Sequence, residues 1–272
     1  MRQMTEPADW SRAADSKRRI GHAVEFHAEI PSTNDRARAA LHEPGGEGLA
    51  VVADLQTAGR GRRGRTWLSP PGVNLMASIP IRPNLAADAA GLLGIAAALA
   101  TCSACEQSVP DANLAINWPN DVVAEQYKVA GLLIETATEG ESFSEAIFGV
   151  GINVNWKWRD MPKELWGRAT SLADLAGREI DRVTLLGNLL AALDEEVAAV
   201  ERGESPLDRF RARDALKGHL LEVDLGGGNF MLGNASGIAD TGSLILTTSA
   251  GEFEVSAGEV VHVGSPLAGA TS

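Results

Sequence analysis

The chain has 272 residues, 44% of them hydrophobic and 22% charged, which suits one large globular domain or a large one with a small companion. A formal net charge of -12 argues against a broad basic face of the kind that holds bulk DNA or an anionic membrane. The two cysteines, Cys102 and Cys105, are too few for a disulfide framework and fit a reducing, cytoplasmic setting.

Residues 1–22 carry no sustained apolar period and no apolar stretch behind their basic residues, so they read as a flexible tail rather than a signal peptide. The segment ahead of Val24 is also too short for the several helices of a DNA-reading domain. Thr33–Leu41 reads as a helix, and Leu49–Leu55 and Val73–Ile81 as strands. The alanine-rich Ala86–Gln107 is the next helix. Its uncharged part, Ala89 to Cys105, falls short of the roughly 20 strongly apolar residues of a membrane span. Strands are expected at Leu114–Trp118, Lys128–Thr136 and Ala146–Asn155, then a helix at Val183–Arg202 with leucines and valines at three-to-four spacing. After Leu216 glycines punctuate short strand-like runs, such as Leu244–Thr248 and Phe253–Ser256, the texture of a small five-stranded barrel or hairpin module. The expected division is a tail over 1–22, a main unit over 23–216, the barrel over 217–264 and a second tail over 265–272.

The most informative segment follows the first of these strands. Gly59 to Arg65 holds four arginines and three glycines. Glycine lets backbone amides approach an oxyanion, and arginine offers planar charged forks for carboxylate or phosphate. On its own this loop serves a small anionic ligand, an RNA or a targeting receptor equally well. Lys128 alone reads as a surface lysine, but it opens the apolar run Val129–Ile134, where it would face a cleft at the strand's mouth. Ser32 and Thr33 suit a helix cap, which still presents free amides and hydroxyls. Gly131, Gly149 and Gly151 would keep strand surfaces bare for a close approach. Trp67 could stack on a ligand or simply pack in the core.

Six elements in order resemble the biotin–protein ligases: Ser32-Thr33-Asn34, the loop Gly59–Arg65 with Trp67, Trp118-Pro119-Asn120-Asp121, Lys128–Glu135, Gly149-Val150-Gly151-Ile152-Asn153, and Ala169-Thr170-Ser171-Leu172. The resemblance spans about residues 25–263. It implies an α+β fold, a mixed sheet backed by helices with a small C-terminal SH3-like barrel. It also implies that biotin and ATP are joined as biotinyl-5'-AMP with Mg²⁺, and that biotin passes to a lysine of a biotin carboxyl carrier domain.

By resemblance, Lys128 and Arg62 are catalytic. Ser32, Thr33, Asn34, Gln56, Gly59, Arg60, Gly61, Arg62, Lys128, Gly131, Leu133, Gly149 and Gly151 take biotin. Arg62, Arg65, Trp67, Asn120, Asp121 and Asn153 take ATP, with Asp121 near Mg²⁺. No nucleic acid and no membrane is expected as partner, and the chain would be a monomer or weak homodimer. The rivals are a lipoate or octanoate ligase on the same fold, and a biotin-binding regulator without catalysis. One departure stands out: Asn117 replaces the lysine that the family carries before Trp-Pro-Asn-Asp.

Other signals carry less. Cys102-Ser103-Ala104-Cys105 reads as two small helix residues rather than a redox pair. His22, His27, His42, His219 and His262 are scattered, and the acidic face at Asp194-Glu195-Glu196 reads as solvated surface.

Overall fold

The computed structural model describes residues 9–266, with two sheets built from separate stretches of chain. The first has seven strands: β1 (Val24–Ile30), β2 (Ala50–Gln56), β3 (Leu75–Ile81), β4 (Leu114–Asn117), β5 (Asp121–Ala124), β6 (Tyr127–Glu139) and β7 (Ser142–Ile152). Their spatial order is β1-β2-β3-β7-β6-β5-β4, with β1 and β2 parallel and every other pair antiparallel. The β1 and β5 strands were not singled out above.

The helices split between the two faces of this sheet. Leu75, Ala77, Ile79 and Ile81 of β3 share a core with the long helices α2 (Ala90–Ser108) and α4 (Arg182–Glu201). On the opposite face α1 (Thr33–Ala40) places Ala37 against Val51 and Ile147. Alternation along each strand then fixes which side chains look toward α1: Met76 and Ser78, Gly149 and Gly151. That face carries the site. By length and apolarity α2 also qualifies as a membrane span, more so than its alanine content suggests, yet eleven of its side chains are buried and it packs against α4 as a core helix.

Two short helices, α3 (Leu172–Ala176) and α5 (Leu207–Arg211), lead to the second sheet. It holds β8 (His219–Gly226), β9 (Asn229–Ile238), β10 (Leu244–Thr248), β11 (Gly251–Val255) and β12 (Glu259–Pro266), in the antiparallel order β11-β10-β9-β8-β12. Of the expected second tail, residues 265 and 266 complete β12, and the remainder lies outside the described residues.

Residues 9–22 differ from the expected loose tail. Trp10 and Ala13 are buried, Trp10 stacks on Phe26 at 5.7 Å between ring centroids, and the Arg182 guanidinium lies over the same ring. Ile20 is buried too, and its amide donates to Asp194 Oδ1 at 2.9 Å. Burial of one tryptophan and one isoleucine outweighs the absence of a repeating apolar pattern, which single anchors do not produce. The acidic stretch of α4 is accordingly not all solvated: Asp194 holds the N-terminal segment, and Glu196 pairs with Arg209.

Candidate functional site

Ser32 caps α1, its hydroxyl accepting from the Asp35 amide at 3.4 Å. The cap sets the next two side chains against the sheet. Gln56 Oε1 at the end of β2 accepts from the Thr33 amide (2.8 Å) and hydroxyl (3.0 Å). Asn34 Nδ2 donates to Glu135 at 2.8 Å. The Ser78 hydroxyl lies 2.7 Å from Thr33 Oγ1 and 2.6 Å from Asn34 Oδ1. The result is a buried polar floor of neutral donors and acceptors, with an acid at its edge. Ser78 and Glu135 were missed from sequence. A serine inside the otherwise apolar β3 was the available signal.

The glycines act differently from expectation. Gly149 makes room for Asn34, whose Oδ1 would lie 2.4 Å from a Cβ there. At Gly151 a Cβ would meet the Trp67 ring at 2.5 Å. The Lys128 side chain runs back over Gly131, passing 2.8 Å from where that Cβ would sit. The bare backbone therefore seats protein side chains of the cleft, and the Trp67 indole occupies the slot expected for a flat ligand. Its Nε1 is buried with no hydrogen-bond partner among the described residues, and Lys128 Nζ sits 5.8 Å from the ring centroid.

Lys128 and Asp121 meet beside it, Nζ to Oδ1 at 2.7 Å, an ion pair whose angles fall short of a hydrogen bond. Asn120 closes this wall, donating to the Leu132 carbonyl at 2.8 Å and accepting from Arg62 at 3.2 Å.

The Arg/Gly loop folds over the cleft, and its four arginines sort by partner. Arg60 makes a two-pronged pair with Asp35 at 2.6 and 2.7 Å, so its charge is already engaged on α1. Those bonds hold the Asp35 carboxyl below its usual range, against a smaller opposing effect of burial. Arg63 (φ 53°) and Gly64 (φ 74°) turn the chain back. Arg63 then reaches Asp224 of β8 at 2.6 Å, and Arg65 reaches Glu259 of β12. Arg62 alone of the four has no carboxylate within salt-bridge distance among the described residues. Burial presses its pKa down, the nearby Arg63 charge adds to that, and Asp121 opposes both. It stays charged regardless, since guanidinium does not deprotonate in proteins.

Together these residues enclose a cleft of about 1070 Å³, part of it open to solvent. Nearly all the sequence-expected site residues line it, with two exceptions. Gly59 lies at the base of the loop, off the cleft lining, its carbonyl accepting from the Trp67 amide at 3.0 Å. Asn153 is buried beneath the floor, where its Nδ2 donates to the Lys128 carbonyl at 3.3 Å. Asn153 thus braces the Lys128 backbone. Asn117 lines the cleft with its buried Oδ1 unpartnered among the described residues. Glu259 and Val260 bring the C-terminal barrel into the wall, a contribution no local motif announces.

The comparisons with known proteins agree with this geometry. A model of the biotin/lipoate A/B protein ligase family matches residues 27–153. The biotin–[acetyl-CoA-carboxylase] ligase of Mycobacterium tuberculosis is 35% identical over 221 residues, covering 80% of this chain and 80% of that protein. The chain belongs to the biotin/lipoate A/B protein ligase family. A bifunctional ligase/repressor of Bacillus subtilis is 33% identical over 234 residues, 85% of this chain and 71% of its own. Among solved structures, the biotin protein ligase of Aquifex aeolicus in complex with biotin and ATP superposes with a TM-score of 0.75 at 29% identity, covering 87% of this chain and 96% of that one. Family membership accounts for the mixed sheet, the helices behind it and the second antiparallel sheet.

Proposed function

We propose that this enzyme is a biotin–protein ligase: it joins biotin to ATP as biotinyl-5'-AMP, releasing pyrophosphate, and transfers the acyl group to a lysine of a biotin carboxyl carrier domain. The observation that carries the reading is the convergence of Lys128 and Arg62 over one cleft, the first held by Asp121 and the second with no carboxylate in salt-bridge distance among the described residues.

Adenylation brings a carboxylate against a triphosphate, so like-charge repulsion dominates the barrier and fixed cations are the remedy. The neutral floor of Thr33, Asn34, Gln56 and Ser78 suits an uncharged ureido ring, which needs donors and acceptors and no counter-ion. Lys128 and Arg62 would then flank the biotin carboxylate and the α-phosphate. Arg62 keeps its charge available because Arg60, Arg63 and Arg65 already satisfy the neighbouring acids. When ligand enters, Trp67 must leave the slot over Gly151, and its indole would then cover the bound adenylate. In the second step the acceptor amine attacks the acyl carbon and AMP leaves, so no covalent enzyme intermediate is needed.

Mg²⁺ would enter on the nucleotide's phosphates. Among the described residues no cluster of three metal-ligating side chains exists, and Asp121 is already paired with Lys128, so the protein supplies at most one carboxylate to an ion brought by ATP. The cytoplasm, where a thiol pair remains reduced, is the proposed compartment.

Pyrophosphate exchange into ATP, measured with Mg²⁺ and with biotin, lipoate or octanoate added separately, tests the reading. Exchange with biotin alone is expected. Exchange driven by lipoate or octanoate would reassign the substrate, and exchange with none of the three would overturn the ligase assignment.

A further inference from the structure

Arg182 is the first residue of α4, at the end of the helix where the backbone dipole already presents positive charge and a second cation is unfavourable. Its side chain is nonetheless only 13% exposed. Three contacts hold it there. The guanidinium donates to Asp54 Oδ1 at 2.8 Å and to the Asn74 carbonyl at 3.0 Å, and it lies 5.2 Å from the centroid of the buried Trp10 ring. Stability alone does not call for a charge here, since an apolar side chain of similar size often serves a buried position as well.

Asn74 leads from Arg182 toward the cleft. It sits immediately before β3, buried, with both side-chain atoms in use. Its Oδ1 accepts from the Val154 amide at 2.9 Å, and its Nδ2 donates to Asn153 Oδ1 at 3.5 Å. Both bonds reach the chain just past the end of β7. Asn153 then donates twice to the start of β6, from Nδ2 to the Lys128 carbonyl at 3.3 Å and from its amide to the Val129 carbonyl at 2.8 Å. A line of hydrogen bonds therefore runs from Arg182, beneath Trp10, through Asn74 and Asn153 to the backbone of Lys128. Of these residues only Lys128 lines the cleft.

We propose that Asn74 is a positioning residue for Lys128 and that Arg182, covered by Trp10, is the anchor that holds Asn74, an inference that rests on the ligase reading above. Asp121 steers the tip of the lysine, while this relay fixes the other end, the backbone from which the side chain springs. A fixed cation helps a transition state only where it is held in place, and a misplacement of about 1 Å can cost about 10²-fold in rate. The N-terminal segment, remote from the cleft, is thereby coupled to the chemistry through Trp10.

Biotin-dependent pyrophosphate exchange by the full chain tests the relay, with active sites counted from the amplitude of biotinyl-5'-AMP formed in a single turnover. Counting sites keeps a partly unfolded sample from passing as slow chemistry. Asn74→Ala should lose about tenfold in kcat per site, a tenth of the loss a 1 Å shift can bring. The KM values for biotin and ATP should stay within about twofold, because the floor and the loop keep their contacts. Asn74→Asp retains the acceptor for the Val154 amide, with Arg182 at hand to offset its charge, and should recover most of the rate. Trp10→Leu preserves apolar burial but removes the ring face from Arg182, and should lower kcat about threefold. Added to Asn74→Ala it should lower kcat no further, since residues acting through one line are not additive. An unchanged kcat per site in Asn74→Ala, or a loss confined to KM, would overturn the positioning role. Independent, multiplying effects of the two substitutions would overturn the anchor. Where Asn74→Ala does not fold, Trp10→Leu decides alone, and an unchanged kcat per site there overturns the relay. Absence of biotin-driven exchange in the wild type would instead bring down the ligase reading, and the relay with it.

Discussion

Lys128 Nζ stands 2.7 Å from Asp121 Oδ1 and 5.8 Å from the Trp67 ring centroid, so one lysine is held between a carboxylate and an indole face. Its stem crosses Gly131, and its carbonyl receives Asn153 from below. The ammonium is thus positioned before any ligand arrives. Replacing Lys128 with Ala should lower biotin-dependent exchange by a factor of about 10²–10³, the scale seen when one preorganised charge-stabilising group is lost. The side chain is a third exposed, so the melting temperature should hardly move. A variant that kept near-normal exchange would remove Lys128 from the chemistry.

Gly151 faces the Trp67 ring at a distance no methyl group tolerates. Gly151→Ala should expel the indole and expose it, shifting tryptophan emission to the red. Overpacking of this kind costs about 1–3 kcal/mol where the neighbour cannot retreat. Because the indole can swing toward solvent, the stability loss should sit at the low end while ligand-stacking is lost. Unchanged emission would mean that the ring does not occupy this slot in solution.

Much of this site was legible because its parts are local. The arginine and glycine spacing, the Ser-Thr-Asn cap and the lysine at the mouth of β6 each carry their chemistry in a few adjacent residues. What was not legible depends on register between distant strands. Ser78 joins Thr33 and Asn34 only because α1 crosses β3, and Glu259 enters the cleft only because the second sheet leans on the loop. Alternation along β7 puts Gly149 and Gly151 on the cleft side, and Asn153, beyond the strand's end, is buried against the Lys128 carbonyl. The packed segment at residues 9–22 escaped notice because isolated anchors such as Trp10 leave no periodic trace.

The loop should respond to acid in a defined direction. Arg60 holds the Asp35 carboxyl below its ordinary value, so the pair contributes fully above the unfolded value of about 3.9 and fades as pH falls through the lowered one. Hydrogen-exchange protection of the Arg60–Arg65 amides, corrected for intrinsic rates, should therefore be flat from about pH 7 to 5. Asp35→Asn should reduce it already at pH 7, only in part, because Arg63 and Arg65 keep their own partners. Protection lost by pH 5 in wild type would contradict the tether.

Cys102 and Cys105 lie one turn apart in α2, both fully buried. Burial pushes the Cys102 thiol up to about 12, and the Cys105 thiol higher still. Since the thiolate is the reactive species, neither should react at pH 8 in the folded protein. Alkylation followed by mass spectrometry should show no labelling until denaturant is added. Rapid labelling of either residue in the native state would restore the redox reading of this pair.

Asn117 sits on the cleft wall at the end of β4, opposite Asp121 in the strand ladder, with its Oδ1 buried and unpartnered among the described residues. The family's usual residue here would place a third cation beside Lys128 and Arg62. Its absence leaves two to face the phosphates. Introducing Asn117→Lys should then lower the KM for ATP, by about fivefold if the new charge gains about 1 kcal/mol at an intermediate effective dielectric. The KM for biotin should stay put, because the neutral floor lies across the cleft on Thr33, Asn34, Gln56 and Ser78. The added ammonium must also share Asp121 with Lys128, so kcat should not rise in proportion. Initial rates of biotin-dependent exchange across ATP concentrations separate these effects. An unchanged KM for ATP would show that position 117 does not feel the nucleotide, and Arg62 with Lys128 would then carry the phosphates alone.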